Sequence, residues 1–215
     1  GLSSGASLTS ASRDNVLIGV EAGKGVEGGQ GVIAIGDKAM LSSDGDLQHC
    51  IAIGTEALYN SDASSSSSDA AGNIGIGREA GGSNTTGWDN TFIGKDAGLN
   101  VTTADRNTFL GGSAGILTTT GAYNTFIGES AGSSNTTGSQ NIFVGLKGGE
   151  SNTTGGDNTN IGMYAGRYNT TGTRNIAIGY GTLDAPDTEN DNLAIGYNAL
   201  GGAIAGGEKN VAIGN

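Results

Sequence analysis

The chain has 215 residues, 42 of them Gly, one each of Pro, Cys and His, and a formal net charge of -11. Glycine with no three-residue period and almost no Pro excludes collagen, and no stretch of about 18 apolar residues suggests a membrane span. So acidic a surface repels phosphate backbones, which predicts no nucleic-acid partner and no membrane insertion.

Residues 1–14 read as an N-terminal lead-in without repeat character. They begin with neither Met nor a signal-like stretch, which reads as a segment of a longer protein. From residue 15 to 214 an apolar tetrad ending in Gly recurs, at Gly19, Gly36, Gly54, Gly77, Gly94, Gly111, Gly128, Gly145, Gly162, Gly179, Gly196 and Gly214. The steps are 17, 18 and 23 residues, then seven of 17, then 18. Before each Gly stands an aliphatic residue, and four before it stands Asn, except at Val32 and Cys50. Three after it stands Ala, except at Gly148 and Thr182.

A period this short leaves no room for a helical hairpin. β-branched residues bounded by Gly and Asn read as short strands and tight turns. The expected rung is strand, turn, second short strand, turn. The predicted fold is all-β: a parallel β-solenoid or β-roll of about twelve 17-residue rungs, each pairing with its neighbours. The 23-residue step contains "NSDASSSSSDAAG", residues 60–72, which reads as a Ser-rich loop ejected from the stack.

Strand neighbours face opposite ways, so Thr125 and Ile127 share one face and Phe126 takes the other. Both faces are apolar. The face holding Thr125 and Ile127 is expected to fill the thin interior. The other then carries a stripe that includes Phe92, Phe109, Phe126, Phe143, Asn160, Ala177, Ala194 and Ala212. A strand apolar on both sides expects burial on both, and the polar "NTTG" half of the rung is unable to cover the stripe. The expected cover is another copy of the chain about a symmetry axis, with a solvated Asn160 or a bound water or ion interrupting it.

Aromatic residues off the stripe are the candidate ligand contacts: Trp88, Tyr164, Tyr168, Tyr180 and Tyr197, rings of the kind that stack sugars. The alternative is that they cover rung edges. Asp184, Asp187, Glu189 and Asp191 form an acidic run that suits Ca²⁺ by chemistry but fits neither an EF-hand nor a nonapeptide calcium repeat. A solvated acidic turn is the expected reading, with no metal and no cofactor. His49 and Cys50 are adjacent, so their side chains diverge and make no nucleophile pair. Asn84, Asn100, Asn135, Asn152 and Asn169 head Asn-x-Thr triplets. Four of these recur at one rung position, which predicts a structural ladder rather than glycan acceptors. The Thr rows also raise ice binding, against which stands the adjacency of Thr136 and Thr137, which point apart.

The pattern "NTFIG…AG…NTTG" resembles the repeat arrays of phage tail fibres and bacterial fibre proteins, which often end in an endosialidase-type intramolecular chaperone. "NIAIG", "NLAIG" and "NVAIG" are similar to the SVAIG-type rungs of trimeric autotransporter adhesin heads, which form trimeric β-rolls. The likeness spans residues 15–214, though the rung here is longer and has Asn where the adhesins have Ser. It implies a homotrimer, intertwined or packed side by side. The implied role is a non-enzymatic fibre segment that attaches to a host or cell surface through a glycan or protein receptor, on a virion or outside a cell. Alternatives are a fibre-borne polysaccharide depolymerase with a carboxylate pair between chains, a bacterial adhesin head and an ice-binding solenoid.

Overall fold

The computed structural model describes residues 2–42, 44–45, 47–63, 70–185, 188–202 and 207–215. They form two compact units, Gly1–Asn107 and Thr108–Asn215. Every strand belongs to a parallel pair, and both units are parallel β-solenoids. The predicted all-β class and the rung spacing hold.

In the first unit the rung strands are β1 (Val16–Ile18), β2 (Ile33–Ile35), β4 (Ile51–Ile53), β6 (Ile74–Ile76) and β7 (Thr91–Ile93). Their register follows the sequence repeat: Val16 pairs with Ile33, Ile33 with Ile51, Ile51 with Ile74 and Ile74 with Thr91. The β4–β6 step is six residues longer than the 17-residue norm, 23 against 17. Its register is nevertheless unshifted. Of the predicted 60–72 loop, residues 64–69 lie outside the described residues. A two-residue ladder, β3 (Asp44–Gly45) with β5 (Asp62–Ala63), is the second-strand ladder among the described residues, beside isolated parallel bridges Arg13–Gln30 and Gln30–Gln48. The second strand expected in every rung is otherwise replaced by turns, whose backbones still bond from rung to rung, as Thr85 N–H does to Thr102 C=O at 2.8 Å.

The second unit stacks β8 (Thr108–Leu110), β9 (Thr125–Ile127), β10 (Ile142–Val144), β11 (Thr159–Ile161), β12 (Ile176–Ile178), β13 (Leu193–Ile195) and β14 (Val211–Ile213). Phe109, Phe126 and Phe143 lie on one another with centroids 4.8 Å apart and planes within 5°. That spacing is the interstrand distance of a sheet, so the rings repeat at the rung pitch.

The faces are the reverse of the sequence expectation. Phe92, Phe109, Phe126, Phe143, Ala177 and Ala194 are 0 % exposed and Asn160 is 1 % exposed, all within a single chain. Only Leu17 and Ala212, in the first and last rungs, are half-buried. The stripe is therefore the interior of each solenoid, not an outward seam. The reason is volume. Where the strand centre is Phe, the residue four after the rung Gly is Gly, at Gly98, Gly115, Gly132 and Gly149. A Cβ on Gly132 would lie 2.5 Å from the Phe126 ring. Where the strand centre is Ala34, Ala52, Ala177 or Ala194, the same rung position holds Met40, Leu58, Leu183 or Leu200. Each of these four tolerates a left-handed backbone, with φ between 46° and 53°. In these rungs one large side chain fills a thin core at near-constant volume; where both positions are Gly, at Gly75 and Gly81, Leu58 and Phe92 of the neighbouring rungs reach in.

The Asn row ties rungs together. Asn73 Oδ1 accepts from Asn90 N–H and Asn90 Oδ1 from Asn107 N–H, each at 2.9 Å. In the second unit the row runs through Asn124, Asn141, Asn158, Asn175, Asn192 and Asn210, bonded at 2.9–3.0 Å.

Candidate functional site

Because Phe and Ala point inward, the first and third residues of each rung strand point out. In the second unit one column reads Thr108, Thr125, Ile142, Thr159, Ile176, Leu193, Val211 and the other Leu110, Ile127, Val144, Ile161, Ile178, Ile195, Ile213. Leu110 is 42 % exposed, Ile142 43 % and Ile176 39 %. The first unit repeats this with Val16, Ile33, Ile51, Ile74 and Thr91 beside Ile18, Ile35, Ile53, Ile76 and Ile93. These columns are the main feature sequence reasoning misplaced. They were in view as the "other" apolar face and were assigned to the interior.

The aromatic candidates divide. Tyr164, Tyr168, Tyr180 and Tyr197 converge in the second unit. Tyr180 stacks on Tyr197 at 5.1 Å and meets Tyr164 edge-on at 5.9 Å. The Arg167 guanidinium lies 4.8 Å from the Tyr164 ring and 4.7 Å from Tyr168, and its Nε donates to Glu150 Oε2 at 2.7 Å. The planar cation both stacks and pairs, as Arg does. Burial pushes the Glu150 carboxyl up, but hydrogen bonds from Arg167 and Lys147 outweigh it and hold it below the ordinary carboxylate value. Trp88 stands in the first unit, with Arg106 3.9 Å over its ring, so one ring face is occupied.

The described residues of the acidic run do not form a metal cluster. Among the described residues no three His, Cys, Asp or Glu side chains converge on a metal position, and Asp187 lies outside those residues. Asp191 is held below its usual value by a hydrogen bond from Arg174, with Nε 2.6 Å from Oδ1. Glu189 Oε2 accepts the Thr188 N–H at 2.8 Å. Asp184 Oδ1 is buried with no partner, and burial raises the Asp184 carboxyl above its ordinary value. The sign follows: the buried carboxylate costs stability when ionised, so the cost is absent below the ordinary Asp value and grows as pH rises through the raised one. Asp184→Asn is therefore expected to raise the melting temperature at pH 7 by about 1–3 °C. The gap should close as pH falls toward 4, read by calorimetry across pH.

Four of the five sequon asparagines are structural. Asn84, Asn135 and Asn152 are 0 % exposed and Asn169 5 %. Their Nδ2 groups donate to the carbonyls of Gly87, Gly138, Gly155 and Gly172 at 2.8–3.2 Å. An amide turned inward is closed to glycan transfer in the folded rung. The neighbouring Thr hydroxyls are committed too: Thr136 Oγ1 donates to Thr153 C=O and Thr153 Oγ1 to Thr170 C=O, both at 3.0 Å. Cys50 is buried, its thiol pushed up to about 11 by burial, and its Sγ–H donates to Ala70 C=O at 3.0 Å. It fills an Asn place in the row. Asn160 keeps an unpartnered Nδ2 in the interior, against a void lined by Gly166, Asn169, Asn175 and Leu183. It does not sit on an intersubunit axis as the sequence reading had it.

No protein-family model matches the chain, and neither a curated protein nor a solved structure gives a significant match.

Proposed function

We propose that the chain is a segment of a homotrimeric, non-enzymatic fibre that attaches a virion or cell to a host surface. One observation supports it most: in each unit the sheet's outward face carries two columns of Ile, Val, Leu and Thr that are exposed or half-buried among the described residues, while Phe, Ala and Leu side chains fill the interior. Parallel sheets are buried on both faces, and a contiguous apolar strip this regular marks an interface. Three copies meeting on these columns bury them about a threefold axis, and stacked rungs then give a stiff multivalent shaft. Threefold symmetry comes from the resemblance to trimeric β-rolls; the apolar face supports association as such. The aromatic cluster of Tyr164, Tyr168, Tyr180 and Tyr197 lies off this face, at the turns that follow the strands, where a receptor has access.

Native mass spectrometry is expected to give three times the chain mass, 3 × 21.1 = 63.3 kDa. Ile127→Lys with Ile161→Lys should give folded 21.1 kDa monomers with an unchanged circular-dichroism spectrum. A wild-type chain that is monomeric and well folded would sink the proposal. The fluorescent trimer should bind bacterial surfaces and release no reducing ends from their polysaccharide. Release would establish a depolymerase instead.

The same outward columns favour a second reading. A flat, evenly spaced two-column face is also what an ice-binding solenoid presents. Thermal hysteresis in a monomeric chain would establish that reading.

A further inference from the structure

Five residues after the rung Gly, consecutive rungs of the first unit carry Leu41, Tyr59, Gly82 and Leu99. Three side chains form an outward column and one is missing. The gap at Gly82 opens a notch of about 180 Å³ walled by Tyr59 on one side and Leu99 on the other, with Glu56, Glu79 and Ser83 around it. Two rung steps separate the jaws, roughly 10 Å from backbone to backbone. After van der Waals contact on both sides, that leaves the thickness of one saturated ring.

The lining has unspent hydrogen-bonding capacity. Tyr59 Oη and Ser83 Oγ make no hydrogen bond among the described residues. Glu56 reaches Lys38 through Oε1 at 3.9 Å, and Glu79 reaches Arg78 through Oε1 at 2.5 Å. The Oε2 atom of each carboxylate is left over. Arg78 also reaches Asp96, which Lys95 pairs as well, so the ion pairs around the notch set Lys38, Arg78 and Lys95 against Glu56, Glu79 and Asp96 and leave no unbalanced charge among them. Carboxylate oxygens accept strongly from hydroxyls, and an aromatic and an aliphatic wall suit the C–H faces of a sugar ring. A small concave site with apolar walls and a few convergent polar groups is the usual form of a ligand pocket.

We propose that this notch binds one neutral pyranose, its ring held between Tyr59 and Leu99 and its hydroxyls donating to Glu56 and Glu79. The notch deepens the attachment reading and rests on it for its biological use, though not for its chemistry. It is distinct from the Tyr164–Tyr197 cluster of the second unit.

Saturation-transfer NMR on the full chain tests it, with the methyl glycosides of glucose, galactose, mannose and N-acetylglucosamine as probes. At least one should take transfer, with affinity on the order of millimolar. Gly82→Leu plugs the notch. Gly82 does not have a left-handed backbone, and a Cβ there meets Glu79 C=O and Leu99 Cδ1 at 3.3 Å, so the column takes a side chain with a small adjustment. The variant should keep its circular dichroism and lose transfer by about fivefold or more. Tyr59→Ala should do the same and decides the matter if Gly82→Leu fails to fold. Transfer to none of the four glycosides, or transfer unchanged in the plugged and Tyr59→Ala proteins, overturns the proposal. The two readings fail separately. A 63.3 kDa trimer that ignores all four sugars keeps the shaft and loses the notch, and a sugar-binding monomer does the reverse.

Discussion

Gly128→Ala is expected to destabilise the protein by about 3 kcal/mol or more, while Gly112→Ala, at the turn of the preceding rung, is expected to be nearly silent. Gly128 closes the β9 tetrad with φ at 132°, a conformation L side chains rarely adopt. A Cβ there would fall inside 3.0 Å of the Gly145 carbonyl oxygen in the next rung. Backbone, not a flexible side-chain end, is what it strikes, so the rungs must move apart or the strand must turn. Either breaks the bond from Gly145 N–H to Ile127 C=O at 2.7 Å. A Cβ on Gly112 meets nothing within 4 Å. Calorimetry should show the Gly128 variant melting about 6–12 °C lower. Hydrogen exchange should place the loss in the rungs on either side of Gly128, because solenoid rungs couple to nearest neighbours. Equal melting points for the two variants would mean that close carbonyl approach at the tetrad glycines does not set the stack.

The glycine rows were legible because they report backbone geometry, which a side chain is unable to disguise. The 17-residue step and the Asn row were legible for the same reason: each Asn place has a fixed duty toward the next rung. Which face of the strand lies inside was not legible from period two, since Thr125–Ile127 and Phe126 are all candidates for burial. The deciding signal sat six residues beyond the strand centre. Phe126 is answered by Gly132, Phe143 by Gly149, Ala177 by Leu183 and Ala194 by Leu200. Large against small at fixed spacing means two side chains sharing one interior. That reading needs volumes, not hydropathy. The notch at Gly82 was hidden likewise, because a glycine among forty-two invites no question until its column neighbours, Tyr59 and Leu99, are known to stack. For the acidic run, the sequence did not show which groups meet its carboxylates. Asp191 is occupied by Arg174 from the previous rung, a partner seventeen residues off that composition does not advertise.

Asn141→Leu should cost about 3 kcal/mol, or roughly 6–12 °C in melting temperature, although the two side chains are close in size. Asn141 Oδ1 accepts the Asn158 N–H at 3.0 Å and the Asn158 Nδ2 at 3.2 Å, and its Nδ2 donates to Gly155 C=O at 2.9 Å. The Gly155 carbonyl keeps a second donor, Asn152 Nδ2, at 3.0 Å. The Asn158 N–H loses the acceptor it has in the Asn row, and a buried orphan of that kind costs about 1–3 kcal/mol; the three other lost bonds, among them Asn141 Nδ2 to Asn124 Oδ1 at 3.2 Å, add about 1 kcal/mol each at most. Leucine's greater burial returns part of this, which sets the net figure. The amide also measures the rung, bonding fourteen residues ahead through Nδ2 and seventeen ahead through Oδ1. Val32 and Cys50, which break the Asn row, begin the 18- and 23-residue steps. Asn141→Asp separates the two duties. The carboxylate still accepts from Asn158 but no longer donates to Gly155, and its charge is buried without a cation. Its folded-state pKa is then raised, so the defect should be largest at neutral pH and shrink as pH falls below the ordinary Asp value. The leucine variant should show no such recovery. If both variants melt with the wild type at pH 7, the Asn row is a consequence of the stack rather than one of its causes.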